Sequence, residues 1–149
     1  MGIQSMNHVS FTVSDLGQSV AFYTDVLGLE LMDRAGRDAE FSEAVTGVPG
    51  AELEIAYIKG PGDCNLELIQ YLTPQGEKLP TSMHHVGRAH ICFVVTEFKQ
   101  ELARLRELGV NFVSKDNCIV PAGPNKGKGV VYFHDPDGYT IEFFSEEIL

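Results

Sequence analysis

The chain has 149 residues, 44% hydrophobic and 21% charged, which suits one ordinary globular domain or two small halves. Twenty-one acidic against eleven basic residues give a net charge of −10, which argues against nucleic acid and anionic membrane as partners. No run approaches the roughly 18 apolar residues of a membrane span, and no basic-then-apolar leader is present, so the expected location is the cytoplasm.

In chain order, residues 6–13 (MNHVSFTV) alternate, with Val9, Phe11 and Val13 on one face and Met6, His8, Ser10 and Thr12 on the other. Ser14-Asp15 reads as an N-cap, and Val20, Phe22-Tyr23 and Val26-Leu27 recur at helical spacing until Gly28. A strand over about 29–35 follows, then a loop rich in Gly, Asp and Glu up to Pro49-Gly50. AELEIAYIK (51–59) and CNLELIQY (64–71) form a hairpin across Gly60 to Asp63, so the first half reads β-α-β-β-β.

Residues 72–87 carry two prolines, two glycines and no periodicity, and read as a linker. The pattern then returns. AHICFVV (89–95) is a strand with His90, Cys92 and Val94 on one face, and Thr96 is placed to cap a helix of Phe98, Leu102, Leu105 and Leu108. Val110 to Val113 is a short strand, 115–129 a Gly/Pro/Lys loop, and 130–133 and 139–144 a hairpin across the Asp135-Pro136-Asp137-Gly138 turn. Cys64, Cys92 and Cys118 are odd in number and lack CxxC spacing, so they read as reduced thiols rather than a disulfide framework or zinc knuckle.

HVSFTVSD (8–15) lies over HICFVVTE (90–97) position by position, and NLELI (65–69) over TIEFF (140–144). His8 thus corresponds to His90 and Glu67 to Glu142, in an internal repeat of about 80 residues. Glu142 stands between Ile141 and Phe143, where a carboxylate is costly to bury unless a charged group meets it. Two imidazoles and two carboxylates from related strands make a site for a divalent first-row metal, with positions left for water or substrate oxygen.

On NHVSFTVSDLGQSVAFYTDVLGLEL, LELIQY, AHICFVV and DPDGYTIEFF, the chain resembles the vicinal oxygen chelate superfamily, which includes glyoxalase I, methylmalonyl-CoA epimerase, extradiol dioxygenases and fosfomycin-resistance proteins. The resemblance implies an α+β fold: two tandem βαβββ modules, 6–71 and 88–145, forming a curved sheet around a metal site within one domain, 1–149. It implies His8, Glu67, His90 and Glu142 as metal ligands. It leaves the ion open among Zn, Ni, Co, Mn and Fe. His84, His85 and His134 have no partner in the repeat and read as linker and turn residues, although the epimerases carry an HH pair near this ligand.

The implied activity is that of a metal-dependent lyase or isomerase, moving a proton α to a carbonyl or thioester of a small-molecule substrate. Glu142 is one candidate base, as glyoxalase I is thought to use its equivalent. Glu54 is the other, in a Glu-Ile context similar to that of the epimerases. Arg88, Lys126 and Lys128 sit where a substrate anion could be held, and Cys92 reads as pocket wall. A non-haem iron dioxygenase and a metal-free binding module of the bleomycin-resistance type are the alternatives; retention of all four ligand residues argues against both. Apolar sheet edges lead to the expectation of a homodimer, with each site within one chain or across two.

Overall fold

A computed structural model describes residues 2–62 and 64–149. The chain divides into two compact units, Met1–Lys78 and Leu79–Leu149, with the boundary inside the expected linker. Among the described residues no helix is long and apolar enough to cross a membrane.

The first unit holds strands β1 (His8–Thr12), β2 (Glu30–Arg37), β3 (Glu52–Lys59) and β4 (Asn65–Thr73) in the order β1-β4-β3-β2. β1 runs parallel to β4, while β3 is antiparallel to both of its neighbours. Register fixes what each face carries, because residues directly opposite one another in a sheet share a face. Phe11 and Ala56 both stand opposite Leu68, and Ile58 opposite Leu66, and all five are buried.

Helix α1 (Leu16–Ala21) lies against β3 and β4, and the π-helical turn Phe22–Val26 that continues it brings Tyr23 to 6.5 Å from the Phe11 ring. The expected cap is present: Asp15 Oδ1 accepts from the Gln18 amide at 2.8 Å. One free amide of the first turn, that of Leu16, is met by Gln70 Oε1 of β4 at 2.8 Å, which ties the helix start to the sheet.

The stretch expected as a loop before Pro49 contains a second helix, α2 (Ala39–Thr46). Its Asp and Gly are end signals rather than loop composition. Asp38 Oδ1 accepts from the Phe41 amide at 2.9 Å, and Gly47 closes the helix in the left-handed region at φ 68°.

The second unit repeats the scheme with β5 (His90–Val95), β6 (Asn111–Phe112), β7 (Cys118–Ile119), β8 (Lys128–His134) and β9 (Thr140–Ile148). The order is β5-β9-β8-β6, with β7 also paired to β8, so the expected 115–129 loop includes a short strand. β5 is parallel to β9 as β1 is to β4.

Helix α3 (Phe98–Glu107) buries Phe98, Leu102 and Leu105, at the i, i+4, i+7 spacing that lines one helix face. Its cap differs from expectation. Glu97, not Thr96, is the N-cap; it sits at φ 51° and gives no side-chain cap bond. The Phe98 amide is met instead by Glu147 Oε1 from β9 at 3.2 Å. Gly129 lets the helix approach the sheet: a Cβ there would lie 2.6 Å from the Phe98 ring.

At the β8–β9 turn, the Gly138 amide donates to Asp135 O at 3.0 Å, and Asp135 Oδ1 accepts from the amides of Asp137 at 3.0 Å and Tyr139 at 2.8 Å. Phe133 is fully buried, edge-on to Phe143 at 4.9 Å and 5.7 Å from Phe112. Phe133→Ala should therefore lower the unfolding free energy by about 3–5 kcal/mol, read by urea denaturation.

Candidate metal-ligand pairs

The faces opposite α1 and α3 carry the candidate ligands, in the first unit beside a buried apolar cluster of Ala51, Leu53 and Ile55. In the first unit, Glu67 stands opposite Ser10 on β1 and Tyr57 on β3, with His8 one step along β1 on the same face. In the second, Glu142 stands opposite Cys92 on β5 and Tyr132 on β8, with His90 in the place of His8. The repeat read from the sequence is thus a repeat of position, and the parallel pairing of first and last strands sets each histidine beside a carboxylate.

His8 Nε2 lies 3.4 Å from Glu67 Oε2, and His90 Nε2 lies 2.9 Å from Glu142 Oε2. Two ligands each about 2.0–2.2 Å from one ion stand about 2.8–3.6 Å apart at ligand–metal–ligand angles between about 90° and 110°, so both spacings fit donors that share a metal. His8 Nδ1 is 2.8 Å from Asn7 Oδ1. An amide oxygen only accepts, so Nδ1 is the donor of that bond, which leaves Nε2 as the atom that faces Glu67. The donor set therefore suits a divalent ion. Among the described residues no three His, Cys, Asp or Glu side chains converge; what the structure shows is two pairs.

Glu67 is 7% exposed, and its second oxygen, Oε1, accepts from the Tyr57 hydroxyl at 2.5 Å. That hydrogen bond, with burial and the charge of Glu67 added, raises the Tyr57 phenol above its ordinary range. Arg37, opposite Leu53 and hence on the same face, opposes the shift. Tyr132 lies over His90, ring centroids 5.2 Å apart, and its phenol is also raised, by burial and then by Glu142. Neither tyrosine was singled out from the sequence. The signal was there: each stands ten residues before the carboxylate of its half.

Glu54 is placed elsewhere. It stands opposite Gln70, on the helix-bearing face, because one residue's difference in parity turns it away from Tyr57 and Glu67. There it meets Arg34, with Nε to Oε1 at 2.8 Å and Nη2 to Oε2 at 3.2 Å, and that hydrogen bonding holds its carboxyl below the ordinary range. Arg88 donates to the carbonyls of Leu79, at 2.8 Å, and Pro80, so its guanidinium is engaged with backbone. Lys128 Nζ lies 5.3 Å from the centre of the Phe144 ring. Of Lys126 only a backbone bond is seen, its amide donating to Gly123 O at 3.1 Å. His84 and His85 stack at 4.2 Å, and His84 Nδ1 is 2.7 Å from Ser82 Oγ.

A model of the family described as Glyoxalase/Bleomycin resistance protein/Dioxygenase superfamily matches residues 5–143. The chain belongs to this superfamily. Within it, the chain is 29% identical to a lactoylglutathione lyase of Schizosaccharomyces pombe, covering 98% of this chain and 49% of that protein, so it spans about half the length of that relative. It is 31% identical to a 2-epi-5-epi-valiolone epimerase of an Actinomyces species, covering 97% of this chain and 80% of that one. A metallothiol transferase FosB of Staphylococcus epidermidis is 31% identical, over 95% of this chain and 82% of the relative. Among solved structures, a glyoxalase family protein from Bacillus cereus superposes with a TM-score of 0.81 at 25% identity, covering 97% of this chain and 95% of that one. The superfamily fold, two βαβββ modules, is the one expected from the sequence.

Burial and the adjacent Glu142 raise the Cys92 thiol to about 11. A raised value leaves less thiolate at any given pH, so Cys92 should react slowly with iodoacetamide at pH 8. Glu142→Gln removes one raising charge and should speed alkylation severalfold, as followed by peptide mass spectrometry.

Proposed function

We propose that the chain is a metal-dependent lyase or isomerase that moves a proton α to a carbonyl or thioester of a small molecule. The observation that carries this reading is the twice-built pair, His8 with Glu67 and His90 with Glu142, each with donor atoms at the spacing of two ligands of one ion. His8, Glu67, His90 and Glu142 are the proposed ligand set. Lactoylglutathione lyase and valiolone epimerase relatives support lyase or isomerase chemistry.

The metal, when bound, supplies Lewis-acid stabilisation of negative charge on the substrate oxygen. The chain's own residues do the rest. His8, His90 and the two carboxylates would hold the ion, with the carboxylates offsetting its charge. Glu142 would take the α-proton on a carboxylate oxygen and return it to the adjacent carbon in an isomerisation. Glu142 is preferred to Glu54 as base. A carboxylate bound bidentately by Arg34, on the other face of the sheet, is weakly basic and points away from His8 and Glu67.

His8→Ala, His90→Ala and Glu142→Ala should each strip the metal, as measured by elemental analysis, whereas His85→Ala and Glu54→Gln should retain it. The same assignment requires Glu54→Gln to keep near-wild-type solvent-deuterium exchange into hemithioacetals or thioesters. Loss of most of its kcat would move the base to Glu54.

We further propose a homodimer with two equivalent sites. Mixing inactive His8→Ala with inactive Glu142→Ala recovers no activity after subunit exchange where all four ligands of a site come from one chain. Recovery of about a quarter of wild-type turnover, the value when half the dimers are mixed and one of two sites is whole, would instead establish sites shared between chains.

A further inference from the structure

Parity divides the arginines of β2 between the two faces of the first sheet. Arg34 stands opposite Ala56 on the helix face, where Glu54 holds its guanidinium at 2.8 Å and 3.2 Å. Arg37 stands opposite Leu53, on the face that carries His8, Tyr57 and Glu67. There its contacts are long: Nη1 reaches Gly36 O at 3.5 Å and Nη2 reaches Asp33 Oδ2 at 3.9 Å. Asp33 itself stands opposite Tyr57. The guanidinium therefore leans back along β2, past the short side chain of Ala35, toward the row of Asp33, Tyr57 and Glu67. It comes near enough for its charge and hydrogen bonding to act on the Tyr57 hydroxyl.

A guanidinium is a planar fork of N–H donors that binds a carboxylate bidentately. Among the described residues no carboxylate lies within hydrogen-bond distance of that of Arg37, whose side chain is only 27% exposed. Beside it the face is apolar, with Leu53 and Ile55 buried and Ile69 and Tyr71 packed against them. Such a wall limits competing hydration and strengthens any ion pair formed there.

We propose that Arg37 is a specificity-determining residue that takes a carboxylate of the substrate on the ligand-bearing face of the first unit. The site deepens the function proposed above, on which only its substrate class rests. One guanidinium offsets one negative charge, and Asp33 at 3.9 Å repels a second, so a carboxylate fits better than a dianionic phosphate. β2 and β4 stand two strand spacings apart, about 10 Å, so this carboxylate lies several bonds from the group beside His8 and Glu67. The cations suggested by the sequence for this duty are engaged elsewhere, Arg88 with backbone carbonyls and Lys128 over the Phe144 ring.

Binding is tested without turnover. In the full-length protein with isotope-labelled arginine, the Arg37 Nε–H resonance is identified by its loss in Arg37→Gln and followed as propionate is added. It should move saturably with propionate and stay in place with propionamide, while the Arg34 resonance does not move. No movement, or a linear drift shared by every arginine, would overturn the proposal. A stronger response to inorganic phosphate would overturn the choice of a carboxylate.

Specificity is read by solvent-deuterium exchange into the N-acetylcysteamine thioester of glutarate and into its methyl ester. The wild type should prefer the free acid. Arg37→Gln should cut that preference about 10- to 100-fold, through KM rather than kcat, and Arg37→Lys, a cation without the fork, should recover only part of it. Arg34→Gln should keep the preference within about twofold. A wild type without the preference, or an Arg37→Gln protein that retains it, sinks the assignment. A propionate response with no exchange into either thioester would overturn the proposed activity and leave the carboxylate site standing. Exchange with a silent Arg37 resonance would do the reverse.

Discussion

Burying a carboxylate in the middle of a sheet costs several kcal/mol unless a partner meets each of its oxygens, and in this protein that requirement arises twice, at Glu67 and Glu142. Both sit on the last strand of a module, between an outer parallel strand carrying the histidine and an inner antiparallel strand carrying a tyrosine. The parallel contact is made possible by the helix between the first and second strands. It lets β1 return beside β4, and β5 beside β9, in the same direction. A hairpin neighbour could have met the carboxylate from one side only. The crossover supplies a second neighbour, and the imidazole sits on it.

The remainder of each sheet divides its work by parity. One face is apolar and closes on a helix: Phe11, Ala56, Ile58, Leu66 and Leu68 in the first unit, and Phe93, Val131, Phe133, Ile141 and Phe143 in the second. The other carries the polar row, in the first unit beside a buried apolar cluster of Ala51, Leu53 and Ile55. Ion pairing follows the same division. Arg34 and Glu54 meet on the helix face, while Arg37 shares the face of Tyr57. An exposed pair such as Arg34 and Glu54 contributes little to stability, and it takes from Glu54 the basicity that proton abstraction would need.

Much of this was legible in the chain. Alternation fixed which residues share a face, the repeat matched His8 to His90 and Glu67 to Glu142, and caps such as Asp15 could be read directly, because these depend on residues near one another in sequence. The strand sequence even held the facts that separate Glu54 from Glu67. Their spacing of 13 residues places them on opposite faces only once the turn between β3 and β4 is known, and the register that pairs Tyr57 with Glu67 is a property of the hairpin. Helix α2 was hidden for a related reason. Asp38 and Gly47 are equally at home in a loop, and only the bonds they make identify them as caps.

What the sequence determined by itself, then, was the two-module plan and the identity of the histidine and carboxylate pairs, since periodicity and repetition are one-dimensional signals. Tertiary structure decided which groups meet those pairs. That Glu147, from the final strand, covers the start of α3 in place of Thr96 depends on a contact 49 residues long. That Tyr57 bonds Glu67 while Tyr132 lies over His90 depends on how two rings at the same register are packed. Side chains identical in type and position diverge there because their packing neighbours differ, and a repeat in the sequence carries the positions but not those neighbours.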